Sequence, residues 1–341
     1  MLAFAYGKPV ISGKIKNQPE DFIVDEMLSF APTGEGEHLF LNITKRDMTT
    51  HDLTLLLSKQ FSVSIKDIGY AGMKDKRAVT SQWLSVPIMH CDDYPERLAT
   101  FSGAVVNKSV LHNKKLKRGV IQENKFTITI TNLSGSYQEL SERLDVIKAQ
   151  GIPNYFTEQR FGVDDKNVLR AELLLNGKMR EKNIRKRGIY FSAARSFLFN
   201  LLLSERITIT KDNYDWLSAL HGDVLMLNVN HSVFVAETLD SEISQRLQNN
   251  ELDVALPMFG TDGLQTLSTA RDVEDKIITQ HNELCSGLLD AGLERHARRA
   301  RVVPKDLNWE SVSDSSIRIT FSLPSGSYAT ALLRELVMSQ K

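Results

Sequence analysis

Residues 316–327 read SIRITFSLPSGS, a strand pattern that returns to β structure at the end of a chain whose middle is helical. Apolar and polar residues alternate from Ser316 to Phe321, which is typical of a strand with one buried face, and a Pro-Gly turn follows. A strand of the same character, Phe126–Ile130 (FTITI), lies in the first half of the chain. The order of β-rich, helical and β-rich segments predicts an α+β domain interrupted by an insertion.

The remaining patterns fit this division. We predict domain ranges of 1–150 together with 303–341, and an inserted, more helical domain at 151–302. The predicted strands of the first part are Phe22–Glu26, His38–Thr44 and Ile68–Ala71, and its helices are Thr50–Phe61, capped by Thr49 or Thr50, and Gln138–Lys148. The predicted later elements are helices at Asn167–Leu175, Ala193–Leu203, Val273–Leu289 and Tyr328–Met338, with a short β segment at Ser232–Val235.

Composition narrows the classes of protein that fit. The 341 residues are 42% hydrophobic and 25% charged, and 42 Lys plus Arg balance 42 Asp plus Glu. A net charge of zero argues against nonspecific coating of nucleic acid, but it is compatible with an RNA enzyme whose cations are clustered. Cys91 and Cys285 stand far apart, so neither a disulfide nor a zinc site is expected. The sequence has neither a signal-peptide pattern nor a membrane-spanning apolar run, so we expect a cytoplasmic protein without membrane contact.

The cations are unevenly distributed. Three clusters stand out along the chain: Lys114, Lys115, Lys117 and Arg118; Lys178, Arg180, Lys182, Arg185, Lys186 and Arg187; and Arg295, Arg298, Arg299 and Arg301. Clusters of this kind are typical of surfaces that meet a polyanion.

The most informative stretch is residues 69–82, GYAGMKDKRAVTSQ. Asp75 follows a strand and a glycine and is flanked by Lys74, Lys76 and Arg77, which favours its ionised form. An ionised carboxylate at a strand end can act as a nucleophile or a base. The alternative is a solvated, charged turn, and the pattern alone leaves it open.

Two further stretches favour RNA. His112–Gly119 is a basic loop that leads into a strand where Asn124 and Phe126 share one face, so an amide and a ring are presented together. Residues 154–162, NYFTEQRFG, crowd three aromatics with Asn154 and Arg160, which suits stacking on unpaired bases. The alternatives are an ordinary core strand in the first case and aromatics packed inward in the second.

Taken in order, five stretches resemble the TruD family of tRNA pseudouridine synthases, and together they reach from near the start of the chain to its end. They are KNQPEDFIVDE at 16–26, GMKDKRAVTSQ at 72–82, the residues His112, Lys115, Leu116, Gly119 and Asn124–Phe126, NYFTEQRFG at 154–162, and LPSGSYAT at 323–330 with Arg334 and Glu335.

The resemblance implies a fold and an activity. The fold is α+β, a pseudouridine synthase catalytic domain (a twisted mixed sheet with flanking helices) with an inserted, more helical TruD-specific domain. The activity is isomerisation of the uridine at tRNA position 13, in the D arm, to pseudouridine. Because this reaction involves no redox change, we expect neither a cofactor nor a metal. The expected partner is tRNA, with no obligate protein partner, and we expect a monomer.

The resemblance also implies site residues. Asp75 is the expected catalytic carboxylate, Phe126 stacks on the flipped uracil, and Asn124 forms hydrogen bonds in the active site. Lys16 is the candidate cation that pairs with Asp75, the alternative being a surface lysine. The expected RNA contacts are Lys74, Lys76, Arg77, His112, Lys114, Lys115, Lys117, Arg118, Asn154, Phe156, Arg160 and Phe161.

Two rival functions remain open at this point. One is a catalytically silent RNA-binding protein with the same fold, which the presence of Asp75 argues against. The other is an RNA or nucleoside glycosylase, which uses a similar carboxylate but releases free uracil.

Overall fold

The computed structural model describes residues 1–89, 91, 93–210 and 216–340, with the side chain of Gln159 outside that description. The chain divides into two compact units. The sheet unit comprises Val10–Glu142, Pro304–Gly326 and Val337–Lys341, and the helical unit comprises Met1–Pro9, Arg143–Val303 and Ser327–Leu336.

These units differ from the predicted ranges, because residues 1–9, 143–150 and 327–336 group with the middle of the chain. Hydrogen bonds explain the grouping. Within the helical unit, Ala5 N donates to Glu335 Oε2 at 3.1 Å, and Tyr6 Oη donates to the main-chain oxygen of Gly151 at 2.6 Å. Arg143 donates from Nε to the main-chain oxygen of Glu335. These hydrogen bonds join residues distant in sequence, so the local pattern of β-rich and helical segments does not predict them.

The sheet unit is built on a mixed sheet of ten strands. Its elements, including the start of a helix that continues into the other unit, are β1 (Ser12–Ile15), β2 (Phe22–Leu28), β3 (His38–Arg46), α1 (Thr50–Phe61), β4 (Gly69–Tyr70), β5 (Val79–Pro87), α2 (Tyr94–Ala99), β6 (Val105–His112), β7 (Ile121–Ser134), α3 (Tyr137–Gln150), β14 (Lys305–Ser313), β15 (Ser316–Pro324) and β16 (Met338–Ser339).

The strand order is β14-β15-β7-β2-β5-β3-β6, with β1 and β16 joined through β7 and with β4 paired to β5. The pairs β2–β5 and β1–β16 are parallel, and the other pairs are antiparallel. The late strand β15 pairs along its length with β7, so two segments about 190 residues apart in sequence meet in one sheet. The alternation read at 316–321 and at 126–130 therefore belongs to neighbouring strands.

Helix α1 covers one face of the sheet. Thr49 caps it: its side chain accepts from Asp52 N, and Asp52 accepts from Thr49 N in return. Leu53, Leu57 and Phe61 lie one or two turns apart and are buried against the apolar residues of β3 and β5. This packing places the first turn of α1 beside the start of β5.

The helical unit contains α3 from Arg143 onward and a second sheet. Its further elements are β8 (Ile152–Pro153), α4 (Glu158–Phe161), α5 (Lys166–Leu175), α6 (Ile184–Thr210), β9 (Asp223–Leu227), β10 (Val233–Ala236), α7 (Ser241–Gln248), β11 (Leu252–Met258), α8 (Ser268–Gln280), α9 (Asn282–Asp290), β12 (His296–Arg299), β13 (Arg301–Val302) and α10 (Ala329–Leu336). The long helix α6 supplies much of the core, where Leu198, Phe199 and Leu202 are buried.

Three predictions for the later chain need correction, and the helix predicted at Ala193–Leu203 is the middle part of the longer α6 (Ile184–Thr210). The middle segment contains a four-stranded sheet, β10-β9-β11-β12, of which only β10 was predicted. The helix predicted at Val273–Leu289 is two helices, because His281 leaves helical backbone values (φ −124°, ψ 37°). The last helix ends at Leu336, and Met338 pairs instead with Ser12 in the parallel β1–β16 pair. The predicted α+β class is confirmed. In the described ranges, no helix is both long and apolar enough to cross a membrane.

Candidate active site and RNA-contact residues

The loop that carries Asp75 joins β4 to β5 and is held through its main chain. Thr50, the first residue of α1, accepts a hydrogen bond from Lys74 N and donates one to Gln82 Oε1, both at 3.0 Å. Lys45 Nζ donates to the main-chain oxygens of Asp75 (2.8 Å) and Met48 (2.6 Å). Because these hydrogen bonds use main-chain atoms of the loop, they fix its position without engaging the Asp75 carboxylate.

Asp75 is paired with Lys16. Lys16 Nζ lies 2.6 Å from Asp75 Oδ2, and the two side chains are 21% and 28% exposed, so the carboxylate remains accessible. The same ammonium lies 3.9 Å from the centre of the Phe22 ring, in cation–π geometry. Lys16 has a φ of 60°, a left-handed conformation that is uncommon for a residue with a side chain. The expected pairing is present, and its chemical role stays a prediction.

Lys45 was not singled out from the sequence. Its residue is 1% exposed, and burial lowers the pKa of its ammonium to about 8. The sequence does indicate that Lys45 is buried, because it continues the inward face of β3 after Leu41 and Ile43. A buried lysine in such a row must have polar partners. The sequence pattern does not show that its partner is the backbone of Asp75.

A second buried ion pair lies beside the predicted site. Lys74 Nζ is 2.5 Å from Glu26 Oε2 and donates to Asn124 Oδ1 at 2.8 Å, while Glu26 Oε1 accepts from Trp83 N at 3.0 Å. The Lys74 and Glu26 side chains are only 7% and 0% exposed. Lys74 was predicted to contact RNA, and the structure instead engages its ammonium with Glu26 and Asn124. Glu26, the missed partner, shares the inward face of β2 with Phe22 and Val24.

Phe126 is 7% exposed and lies among aromatic rings. Its centroid is 5.2 Å from that of Phe321, nearly parallel at 24°, and 6.2 Å from that of Phe22, edge-on. Phe126 is packed in the sheet, as expected for a core residue. It also lies two residues along β7 from Asn124, as expected for a ring in the active site. Stacking on a base remains a prediction.

The residues of the basic loop divide into anchored and exposed groups. The His112 ring contacts Phe30 and Phe40, its Nδ1 lies 3.2 Å from Thr33 N, and burial together with Lys114 lowers the pKa of the imidazole. Lys115 donates to the main-chain oxygen of Lys66 at 2.6 Å, and Arg118 covers the Tyr70 ring. Lys114, Lys117 and Lys76 are exposed, as is Arg77, which donates to the main-chain oxygen of Asn17.

In the helical unit, the predicted RNA contacts Asn154, Phe156 and Phe161 are all buried. Asn154 Oδ1 accepts from Arg298 at 2.6 Å, and the guanidinium of Arg298 lies 4.0 Å from the centre of the Phe156 ring. This favours the alternative in which the aromatics pack inward, because the core already covers the rings. Arg160 is half-buried and donates to the hydroxyls of Ser192 and Ser196.

Metal ligation has no visible support in the described ranges, where no group of three or more His, Cys, Asp or Glu side chains could hold an ion. The chemistry of the site is that of the accessible Asp75 carboxylate, the ammonium groups of Lys16, Lys45 and Lys74, and the amide of Asn124.

Comparison with known proteins identifies the class. The chain matches the family model described as tRNA pseudouridine synthase D (TruD) over residues 1–182 and 181–336. A tRNA pseudouridine synthase D of Colwellia psychrerythraea is 38% identical over 99% of this chain and 93% of the relative. Another, from Pseudoalteromonas atlantica, is 36% identical over 97% and 94%.

The fold agrees with a solved structure. The crystal structure of the putative tRNA pseudouridine synthase D from Methanosarcina mazei superposes with a TM-score of 0.75, at 22% identity, over 98% of this chain and 95% of that one. The fold and the matches above define a pseudouridine synthase. The chain belongs to the tRNA pseudouridine synthase D (TruD) family. The predicted family, fold class and enzyme class are therefore confirmed.

Proposed function

We propose that this enzyme converts the uridine at position 13 of tRNA, in the D arm, to pseudouridine with Asp75 as its catalytic carboxylate. The observation that carries the proposal is the Lys16–Asp75 pair at 2.6 Å, in which a cation holds an accessible carboxylate. The loop that presents this carboxylate is anchored through its main chain by Lys45 and Thr50.

The reaction exchanges one glycosidic bond for another. The N1–C1′ bond breaks, the uracil turns, C5 bonds to C1′, and the proton on C5 is lost while N1 gains one. Asp75 either attacks C1′ or removes a proton from the sugar, and both routes need it ionised. Lys16 favours that form by its positive charge. Lys45 and Thr50 are positioning residues that act through the main chain of the loop.

The neighbouring residues would hold the extruded base. Leaving the RNA stack costs a few kcal/mol, which contacts in the pocket must offset. Phe126 offers a ring for stacking, and Asn124, fixed through Lys74 and Glu26, offers an amide for hydrogen bonding. Lys76, Arg77, Lys114, Lys115, Lys117 and Arg118 would contact tRNA phosphates.

The sheet unit and the helical unit would have different roles. We propose that the sheet unit, which holds Asp75, Lys16, Asn124 and Phe126, is the catalytic domain, and that the helical unit contains the inserted domain. We further propose that the enzyme acts as a monomer.

The test uses a tRNA transcript with tritium at C5 of its uridines, and a matched transcript with cytidine at position 13. Isomerisation releases the tritium and leaves pseudouridine at position 13 by sequencing, whereas the cytidine transcript should release none. Release of free uracil would establish a glycosylase, and binding without either product would establish a silent RNA-binding protein. Pseudouridine at another position would overturn the proposed site specificity.

A further inference from the structure

The segment that enters helix α6 is strongly basic. Six of its ten residues from 178 to 187 are cations, and every one of them is exposed: Lys178, Arg180, Lys182, Arg185, Lys186 and Arg187. Within the described part of the chain, none of the six forms an ion pair; Arg187 alone lies near a ring, that of Phe191. By contrast, other cations of the helical unit, such as the exposed Lys276 and the half-buried Arg271, are paired with acids at 2.6 and 2.7 Å.

The single acidic residue in this segment, Glu181, binds a main-chain nitrogen and none of the six cations. Glu181 Oε1 accepts a hydrogen bond from the main-chain nitrogen of Asn183 at 2.9 Å. Asn183 in turn caps the helix, because its Oδ1 accepts from Arg185 N at 3.0 Å and from Lys186 N at 3.2 Å. The basic first turn of α6 is therefore built on a defined cap.

The placement of these charges is unfavourable for the protein on its own. The start of a helix carries a partial positive charge and favours acids, yet the first turn of α6 has none and carries Arg185, Lys186 and Arg187. A polyanion laid along this turn would relieve the repulsion and also meet the positive end of the helix.

We propose that the basic segment of the helical unit, residues 178–187, is a docking surface for the sugar-phosphate backbone of the substrate RNA. The inference rests on the proposed function in taking tRNA as the polyanion. Its contacts would be to phosphates and would therefore position the RNA without reading its sequence. Each phosphate neutralised by the protein should add about 0.7 to 0.9 to the slope of log affinity against log salt.

The experiment compares full-length variants in tRNA titrations between 50 and 200 mM salt. In Lys182→Gln/Arg185→Gln/Lys186→Gln, we expect the slope to fall by about 2 to 3 and the Kd to rise about tenfold at 150 mM. The matched control, Arg246→Gln/Arg271→Gln/Lys276→Gln, removes three cations of the same unit that are paired with acids, and it should stay within about twofold of wild type.

A second variant separates binding from folding. Arg185→Glu/Lys186→Glu puts acids at the positive end of the helix, which should raise or preserve the melting temperature while tRNA binding weakens further. A wild-type Kd and slope in both variants would overturn the proposal. The proposal would also be overturned if the variants lost binding to anionic lipid vesicles while their tRNA binding stayed unchanged. A membrane surface is the alternative occupant, because Ile184 and Ile189 are exposed beside the cations. These titrations do not depend on turnover, so an enzyme that makes no pseudouridine would refute the proposed function without affecting this test.

Discussion

Lys16 and Asp75 are 59 residues apart in sequence and form a salt bridge of 2.6 Å, with the lysine in a left-handed backbone conformation. Strained residues are retained where the surrounding structure holds them, and they concentrate at functional sites. Here the conformation brings an ammonium to the carboxylate that the anchored loop presents.

Asp75→Asn should abolish pseudouridine formation and leave tRNA binding nearly intact. Asn has almost the same shape as Asp, but it can neither attack carbon as an oxyanion nor accept a proton at neutral pH. Tritium release from C5-labelled tRNA, run beside a binding titration, measures both effects. Activity within about tenfold of wild type, a barrier change of only about 1.4 kcal/mol, would place the catalytic group elsewhere.

Lys16→Met should lower kcat by about 10- to 100-fold, because it removes the cation that favours the ionised carboxylate. Lys16→Arg keeps the charge and should recover part of the loss, although its fork differs in shape from an ammonium. Single-turnover rates at saturating tRNA separate this effect from binding. Equal losses in the two variants would indicate that geometry, and not charge, is what Lys16 supplies.

Phe126→Ala has two distinguishable outcomes. If the ring stacks on the target base, about 1–3 kcal/mol of stacking is lost and turnover slows more than tRNA binding. If the ring serves only to pack against Phe22 and Phe321, the cavity destabilises the protein by about 3–5 kcal/mol. A thermal melt beside the activity assay decides, because a loss of stability with normal turnover of the folded variant indicates packing alone. Phe126→Leu, which fills most of the volume without an aromatic face, is the matched control.

Lys114→Glu and Lys115→Glu should each weaken tRNA binding and flatten its salt dependence. Their effects on stability should differ. Lys114 is exposed, so its variant should melt like wild type, whereas Lys115 loses its hydrogen bond to Lys66 and should melt a few degrees lower. If both bind tRNA with the wild-type Kd at physiological salt, neither residue contacts the RNA.

Glu335 should make stability depend on pH. Burial raises the pKa of this carboxyl from 4.5 to about 7, against the opposing effect of Arg334 and Arg143. The folded state therefore binds the proton more tightly than the unfolded state, and the stabilisation is complete below about pH 4.5 and lost as pH rises through about 7.

The measurement is the free energy of unfolding in urea of wild type and Glu335→Gln from pH 5 to 8. The advantage of wild type over the variant should shrink by up to about 3 kcal/mol across this range. Glu310→Gln, on the surface beside Arg318, is the control and should show no such trend. A difference that grows with pH would mean that Glu335 is held ionised.

The limits of the sequence are clearest where side chains meet across strands. A row of inward residues indicates that Glu26 and Lys45 are buried, but only the pairing of β2 with β5 and β3 with β5 places them near the Asp75 loop. The same holds for Asn154 and Phe156, whose RNA-like pattern gives no sign that Arg298 will cover them from a segment about 140 residues away.

By itself, the sequence determined the local elements with strong periodicity, such as α1 and β7, and the motifs that place the chain in its family. These are properties of neighbouring residues, which a linear pattern records directly. Only the tertiary structure decided which cation faces Asp75, which lysines are used internally, and that residues 1–9 join α10 in the helical unit. Those outcomes depend on contacts between residues distant in sequence, where packing and the need to satisfy buried charges select one arrangement among many.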